Sequence, residues 1–165
     1  MTDDHTGRKA RMRRLTERVV TRGFQSYWRF SRGLTLGAQG LVIDPDGRIL
    51  LIQHTYRPGW HFPGGGVERN ETVESALARE LIEEAAVEIT GTPALFRIYA
   101  NFKAFPSDHV SLFVIRSFVR RPFIATQEIA AAEFFPRDAL PEGTIGPVRR
   151  RLAEVLDGAA PSPHW

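Results

Sequence analysis

Three glutamates on one predicted helix are the residues of this chain that point most directly to chemistry. Glu80, Glu83 and Glu84 are adjacent or three and four residues apart. At about 100° per residue, their side chains fall within one sector of the helix roughly 100° wide. Clustered carboxylate oxygens are the ligands that Mg²⁺ prefers, with Mn²⁺ as an alternative. The cluster therefore predicts a divalent-metal site that bridges to phosphate groups of a substrate.

The same cluster is unfavourable for the helix on its own. Like charges three and four residues apart cost a few tenths of a kcal/mol per pair. The helix dipole also disfavours negative charge near the C-terminal end, by roughly 0.3–1 kcal/mol each. Arg79 can offset Glu83 at i+4, but one cation does not balance three anions. A bound metal ion would balance the three glutamates. The ordinary alternative to a metal site is a charged helix face that is exposed to solvent.

The spacing of the residues around these glutamates is more specific than the glutamates themselves. Gly65 is followed by five residues and Glu71, then by seven residues and the run Arg79-Glu80-Leu81-Ile82-Glu83-Glu84-Ala85-Ala86-Val87. This arrangement resembles the signature box of the Nudix hydrolase superfamily, G-x5-E-x7-R-E-U-x-E-E-x-G-U, where U is a bulky aliphatic residue. The resemblance extends over about residues 34–157.

The resemblance implies an activity and a set of ligands. It implies hydrolysis of the diphosphate linkage in a nucleoside diphosphate derivative, by attack of metal-activated water on phosphorus. Arg79 would orient the carboxylates by ion pairing, and Glu71 would brace the loop before the helix. Glu80 would bind the metal directly or through water. The implied metal ligands are Gly65, through its carbonyl, and Glu80, Glu83 and Glu84.

A carboxylate base can assist the attacking water, and several glutamates are candidates for that role. Glu80 and Glu133 are the first two. Glu133 precedes Phe134 and Phe135, which resembles an acidic-aromatic position from which many family members supply a further ligand or base. Glu128, five residues earlier, is the competing candidate. An ordinary surface carboxylate is the alternative for both Glu128 and Glu133.

Residues for substrate binding are marked less sharply. Arg57, Lys103 and His109 are candidates to contact phosphates, and Tyr56 is a candidate to stack on a base. Trp60 and Phe105 are further aromatic candidates, although aromatic residues more often belong to a core. The sequence does not specify which diphosphate is hydrolysed.

One position departs from the family pattern. Ala86 stands where the family has glycine. Glycine readily forms a left-handed turn after a helix, whereas alanine costs roughly 1 kcal/mol more in that backbone conformation. The helix is therefore expected to run slightly longer, or the loop to turn differently, with no metal-ligand position lost.

The elements that position these residues are predicted to be interleaved strands and helices. Thr72 is the expected N-cap of the glutamate helix. The turn at residues 44–47 joins the first two strands as a hairpin. The predicted strands are 36–44, 48–54, 94–103, 110–119 and a short one at 133–135, and the predicted helices of the domain are 72–85 and 147–156. The fold class is α/β, a Nudix-like α/β/α sandwich with a mixed β-sheet.

The N-terminal segment differs from the remainder in charge. Residues 1–33 hold nine Lys and Arg against three acidic residues, a net of +6, so the rest of the chain carries −3. Apolar residues within 10–30 recur every three or four positions, which predicts an amphipathic helix with an arginine-rich face. We expect this helix to dock on the domain or on a second subunit, giving a homodimer. Nucleic acid, an anionic membrane surface or an acidic partner is the alternative.

Composition excludes several other classes of protein. The chain has 165 residues and no cysteine, which fits one domain and excludes disulfides, thiolate zinc sites and cysteine nucleophiles. No apolar run approaches the roughly 18 residues of a membrane span, and the N-terminus lacks a secretory signal, so a cytoplasmic location is predicted. The predicted organisation is a basic extension at 1–33, a hydrolase domain at 34–157 and a flexible tail at 158–165.

Two other functions compete with diphosphate hydrolysis of a small molecule. A non-catalytic nucleotide-sensing module could use the same fold, although such modules tend to lose the carboxylates that are intact here. An RNA-end-processing pyrophosphohydrolase could use the basic N-terminal helix to hold its substrate.

Overall fold

The structure is a computed structural model that describes residues 33–165, so the predicted helix at 10–30 lies outside the described residues. Residues 35–165 form one compact unit. Its strands are β1 (Thr35–Val42), β2 (Ile49–His54), β3 (Trp60–His61), β4 (Gly64–Gly66), β5 (Val87–Ile89), β6 (Ala94–Ala100), β7 (Asp108–Ile115), β8 (Phe118–Arg120) and β9 (Ile129–Phe135). Its helices are α1 (Val73–Ala85) and α2 (Gly146–Leu156). Neither of these two helices has the length and apolarity needed to cross a membrane.

The strands form a mixed sheet and two smaller antiparallel sheets. The mixed sheet has the order β4-β1-β7-β6, and the other two have the orders β3-β2-β9 and β5-β8. Strands β1 and β7 are parallel, whereas β1–β4 and β6–β7 are antiparallel. The mixed character therefore comes from the β1–β7 pair. The expected hairpin of β1 and β2 is reduced to one bridge, Ile43–Ile49, because the two strands continue into different sheets.

Each helix buries its apolar side against a core cluster of its own. Helix α1 contributes Leu77 and Leu81 to the first cluster, and helix α2 contributes Val148 and Leu152 to the second. All four are almost fully buried, which stabilises the fold by roughly 1.5–3 kcal/mol per side chain. Gly40 allows β1 to approach α1 closely, since a Cβ there would lie 3.2 Å from a methyl group of Leu81. The predicted α/β fold with a mixed sheet is confirmed.

The element boundaries agree best where the sequence pattern is longest. Both predicted helices are present, and each boundary differs by at most one residue. The predicted strand at 110–119 is instead two strands, β7 and β8, which belong to different sheets. Strands β3, β4 and β5 were not predicted, because two or three residues are too few to show an alternating pattern.

The end of helix α1 differs from the expectation for Ala86. The helix ends at Ala85, and Ala86 adopts the left-handed conformation with φ 54° and ψ 36°. Its N–H still donates to the carbonyl of Ile82 at 3.1 Å. The physical reason is that Val87 begins strand β5 at once, so the chain must turn sharply at this position. The expectation of a longer helix or a different turn was wrong, and alanine bears the cost of the glycine conformation.

The C-terminal tail is attached to the domain, although the sequence predicts a flexible segment. The N–H of Trp165 donates to the carbonyl of Ala100 at 3.0 Å, and Arg151 donates to the carbonyl of His164 at 3.0 Å. Arg151 is fully buried, and its guanidinium pairs with Glu154 at 2.5 Å. A buried cation needs such partners, which explains why the tail is held against it.

Candidate active site

Helix α1 begins in a way that fixes its register against the sheet. The backbone N–H of Ser75 donates to the side chain of Thr72 at 3.1 Å, and the N–H of Thr72 donates to the hydroxyl of Ser75 at 3.0 Å. This reciprocal capping box satisfies two donors that the first turn leaves unpaired. The predicted N-cap is therefore present, and the last two turns of the helix present the three glutamates from a fixed position.

Glu84 turns into the domain, as its helical angle predicts. Its Oε2 accepts the backbone N–H of Gly64 at 2.7 Å. Burial is the main reason why the pKa of Glu84 is raised to about 7. The hydrogen bond from Gly64 and the charge of Arg57 oppose this rise, whereas the negative charges of Glu80 and Glu128 add to it. Negative charge at this carboxylate is thus poorly compensated by the protein, so a bound cation would stabilise it.

Glu80 lies against the glycine-rich strand β4. A Cβ at position 65 would overlap the carboxylate of Glu80, so only glycine allows this approach. Gly65 itself pairs with Ala38 of β1, which fixes its backbone in the mixed sheet. The predicted ligands Gly65 and Glu80 are therefore direct neighbours.

Arg79 ties the glutamates to the loop before the helix. Its guanidinium donates to both carboxylate oxygens of Glu71, at 3.0 and 3.1 Å. It also pairs with Glu80 at 2.7 Å and with Glu83 at 3.5 Å. The hydrogen bonds to Glu71 and then to Glu80 raise the pKa of Arg79 further above neutrality. Glu71 in turn accepts the backbone N–H of Glu68 at 2.9 Å, which braces the loop.

The three glutamates of α1 line a common cavity of about 410 Å³. The segment that leads into β9 forms its other side, with Thr126, Gln127, Glu128 and Ile129. We call this cavity the acidic cleft, defined by Glu80, Glu83, Glu84 and Glu128. Within residues 33–165, no three His, Cys, Asp or Glu side chains already converge tightly enough to hold a metal ion. The reason is that Glu80 is turned to Arg79 and Glu84 to a backbone N–H. The donors are nevertheless all carboxylate oxygens, which fits a hard divalent cation.

Glu133 lies on a different side of strand β9 from the acidic cleft. Ala132 and Phe134 pack on the core cluster beneath α1, so the alternation of side chains turns Glu133 to the opposite face. Burial lowers the pKa of Arg120, and the nearby charge of Glu133 opposes that shift. Glu128 lines the cleft instead. Of the two candidates, Glu128 lines the cleft and Glu133 does not.

A second cavity, of about 460 Å³, brings together two of the four predicted substrate residues. Arg57 and Lys103 both line it. Tyr56 and His109 do not line this cavity. Tyr56 is 68% exposed, and the ring of His109 packs edge-on against Phe102 with a centroid distance of 5.2 Å. Of the other aromatic candidates, Trp60 packs edge-on against Phe135 in the second core cluster, and Phe105 is exposed.

Several residues of the second cavity carry no signal in the sequence. Arg150 of α2 and Trp165 of the tail line it together with Arg57 and Lys103. We call it the cationic cavity, defined by Arg57, Lys103 and Arg150. His54 was also missed: its Nε2 accepts a hydrogen bond from Arg57 at 2.5 Å. Burial first, and then the charge of Arg57, lowers the pKa of His54 to about 4, so its ring is neutral at pH 7.

Comparison with known proteins identifies the family to which this site belongs. A family model described as the NUDIX domain matches residues 33–156, which is most of the chain. A MutT-like protein of Streptomyces ambofaciens is 28% identical over 136 residues, covering 77% of this chain and 80% of the relative. An ADP-ribose pyrophosphatase of Methanocaldococcus jannaschii is 34% identical over 105 residues, covering 61% of this chain and 62% of the relative.

A solved structure agrees with these relatives. The crystal structure of a MutT Nudix hydrolase from Burkholderia pseudomallei superposes with a TM-score of 0.64 at 26% identity, covering 73% of this chain and 97% of that chain. The chain belongs to the Nudix family. The predicted class of activity is confirmed with it: the protein is a Nudix-type pyrophosphohydrolase, which acts on phosphorus-containing anhydrides.

Proposed function

We propose that the acidic cleft binds Mg²⁺, or Mn²⁺ in its place, and hydrolyses the diphosphate linkage of a nucleoside diphosphate derivative. The observation that carries this proposal is the partly buried Glu84, whose neighbours Glu80 and Glu128 add negative charge instead of balancing it. Oxygen-only donors in such a cleft suit a divalent ion that bridges to phosphate oxygens.

Glu80, Glu83 and Glu84 are the proposed carboxylate ligands, with the carbonyl of Gly65 beside Glu80. When bound, the metal supplies a Lewis acid that makes water more acidic and offsets negative charge on the phosphate oxygens. The protein contributes the positions of its carboxylates. Arg79 restrains Glu80 and Glu83 by ion pairs.

Glu128 is the proposed general base, in preference to Glu133. It lines the cleft together with the α1 glutamates, and its carboxylate would accept the proton that water loses as it attacks phosphorus. Glu80 is the second candidate, but its Oε1 already accepts a hydrogen bond from Arg79 at 2.7 Å.

The substrate is proposed to extend from the acidic cleft toward Arg57. This arginine lines the cationic cavity, and its charge also acts on Glu84 of the acidic cleft. A guanidinium there can donate to phosphate oxygens of a diphosphate chain. A cytoplasmic location and a homodimeric state stay predictions, as does any role of the basic segment at 1–33 in binding nucleic acid.

The test is hydrolysis by the purified full-length chain, with Mg²⁺ or with EDTA, of ADP-ribose, 8-oxo-dGTP and NAD-capped RNA. Reactions in ¹⁸O-labelled water identify which phosphorus is attacked, because the product of that phosphorus alone gains the label. We expect Mg²⁺-dependent cleavage of at least one small nucleotide. Binding without turnover would favour the nucleotide-sensing module, and turnover that persists in EDTA would contradict the metal site. Cleavage of capped RNA alone would favour RNA-end processing.

A further inference from the structure

The charge of the cationic cavity is not explained by the composition of the domain around it. Residues 34–165 carry a net charge of −3. Arg57, Lys103 and Arg150 nevertheless line one cavity, together with Gln39 and Asn101, and none of the described residues that line it is Asp or Glu. These residues come from separate parts of the chain, so the fold gathers three cations against the overall charge of the domain.

The three cations have no Asp or Glu side chain as a partner in the described part of the chain. Among residues 33–165, none of them forms a salt bridge. Arg57 donates to the neutral ring of His54 at 2.5 Å, and Arg150 donates to a main-chain oxygen of Trp165, the last residue of the sequence, at 3.3 Å. Cations that share a cavity repel one another, so an anion that enters it is bound favourably.

The wall of the cavity is fixed by the tail. Trp165 lines the cavity, and its N–H donates to the carbonyl of Ala100 at 3.0 Å. The N–H of Ala100 donates in turn to the carbonyl of Pro163 at 2.9 Å. The indole ring packs edge-on against Tyr99 with a centroid distance of 5.5 Å. The tail therefore holds an aromatic wall beside Arg150, which suits the ring of an organic group next to an anion.

The cavity is adjacent to the acidic cleft. Gln39 lines the cavity and is paired with Gly64 across strands β1 and β4. Gly64 donates its N–H to Glu84 of the cleft. Arg57 connects the two regions from the other side, because it lines the cavity and its charge acts on Glu84. A substrate whose diphosphate lies in the cleft can therefore place its organic moiety in the cavity.

We propose that the cationic cavity binds a phosphomonoester on the organic moiety of the substrate, separate from the diphosphate that is cleaved. The inference rests on the proposed function for the position of the diphosphate. A phosphomonoester offers three oxygens to guanidinium and ammonium donors, and the apolar wall at Trp165 accepts the attached ring. A neutral sugar or base would leave Arg57 and Lys103 without a counter-charge among the described residues.

The first test measures binding without metal, so it does not depend on turnover. Isothermal titration in EDTA compares AMP with adenosine 2′,5′-bisphosphate and adenosine 3′,5′-bisphosphate, which differ from AMP by one phosphomonoester. We expect at least one bisphosphate to bind roughly tenfold tighter than AMP, the size of one charge-assisted hydrogen bond. Lys103→Met and Arg150→Gln should each remove most of that preference. Arg57 is left unchanged in this test because it also acts on Glu84.

Arg149→Gln is the matched control. Arg149 is an exposed neighbour of Arg150 on the same helix and does not line the cavity, so its loss removes the same charge from the protein. The preference should survive in this variant. Equal binding of AMP and both bisphosphates to the wild type, no binding of any of them, or a preference that persists in both cavity variants would overturn the proposal.

The second test separates this proposal from the proposed function. With Mg²⁺, kcat/KM is compared for ADP-ribose and ADP-ribose 2′-phosphate, and for dephospho-coenzyme A and coenzyme A. Preference for the phosphorylated member of a pair, lost in Lys103→Met and Arg150→Gln but kept in Arg149→Gln, supports the inference. Equal turnover within both pairs refutes it and leaves the hydrolase intact. Discrimination in binding without turnover of any diphosphate refutes the hydrolase and supports the cavity.

Discussion

The acidic cleft and the cationic cavity are neighbouring regions of one domain, with opposite charge and different origins in the chain. Three of the four glutamates of the cleft lie within five consecutive residues of helix α1. The cations of the cavity come from the loop after β2, the loop after β6 and helix α2. Helical periodicity alone places the first set on one side of a helix, whereas packing between distant elements assembles the second.

The two regions also hold their charges differently. Arg79 compensates the cleft in part by pairing with Glu80 and Glu83, and Glu84 is left with a backbone N–H as its hydrogen-bond partner. In the cavity, Arg57 donates to a neutral histidine and Arg150 donates to a main-chain oxygen of Trp165. Each region therefore has a charge that its own side chains do not balance, and a metal with an anionic substrate would balance both.

The largest expected effect is a loss of activity that tests whether the acidic cleft, and not the cationic cavity, is the catalytic region. Glu84→Gln should lower kcat/KM by roughly 10²–10³-fold, because an amide cannot supply the negative charge that the metal needs. The fold should be kept, since a glutamine carbonyl can still accept the N–H of Gly64. Steady-state kinetics with circular dichroism measures both. Glu74→Gln, in the exposed first turn of the same helix, is the control that should retain activity; wild-type turnover in Glu84→Gln would remove the cleft from catalysis.

The next effect concerns the stability of the metal-free cleft. The folded-state pKa of Glu84 is raised from 4.5 to about 7, so the folded protein holds a proton that the unfolded chain has lost. Its contribution to stability is complete below about pH 4.5 and is lost as the pH rises to about 7, by on the order of 2 kcal/mol. Urea unfolding in EDTA should show this difference between wild type and Glu84→Gln, and Mg²⁺ should reverse it at pH 8. Parallel pH profiles for the two proteins would contradict this prediction.

The contribution of His54, beside Arg57 of the cationic cavity, to stability should change with pH in the opposite direction to that of Glu84. The folded-state pKa of His54 is lowered from 6.5 to about 4, so protonation favours the unfolded chain. Its contribution to stability is complete above about pH 6.5 and is lost as the pH falls to about 4, by roughly 1–2 kcal/mol. His54→Gln should remove this loss, while the exposed His164→Gln should keep it. Chemical unfolding between pH 4 and pH 7 distinguishes the two variants, and an unchanged slope in His54→Gln would refute the assignment.

The smallest effect tests the junction between α1 and β5. Ala86→Gly should raise the free energy of unfolding by roughly 0.5–1 kcal/mol, because glycine adopts the left-handed turn without a steric cost. The melting temperature should rise by about 2 °C. Ala78→Gly, in the middle of the same helix, should instead lower it, since glycine weakens a helix interior. A fall in melting temperature for Ala86→Gly would mean that the turn does not strain alanine.

Much of the cleft could be predicted because its geometry is local. The position of Glu84 on the inner side of α1 follows from its helical angle relative to Val73 and Leu77, and the N-cap at Thr72 follows from its residue type. The pairing of Arg79 with Glu71 was harder to predict from the sequence, because the two residues are eight positions apart and only the loop geometry brings them together. At Ala86, the sequence identified the position as unusual, but the strand that begins at Val87 determined its left-handed backbone conformation.

The sequence by itself determined the family, the class of reaction and the helix that carries the glutamates, because a fixed spacing within 23 residues needs only helical geometry and one glycine-rich loop. Tertiary structure decided the rest. Strand alternation turned Glu133 away from the cleft, whereas Glu128 lines the cleft from the segment before β9. The cationic cavity needed Arg57, Lys103 and Arg150 to meet across the fold, with the tail held at β6. No local pattern encodes such a meeting, because the distances between these side chains are set by the packing of the two helices and the sheets between them.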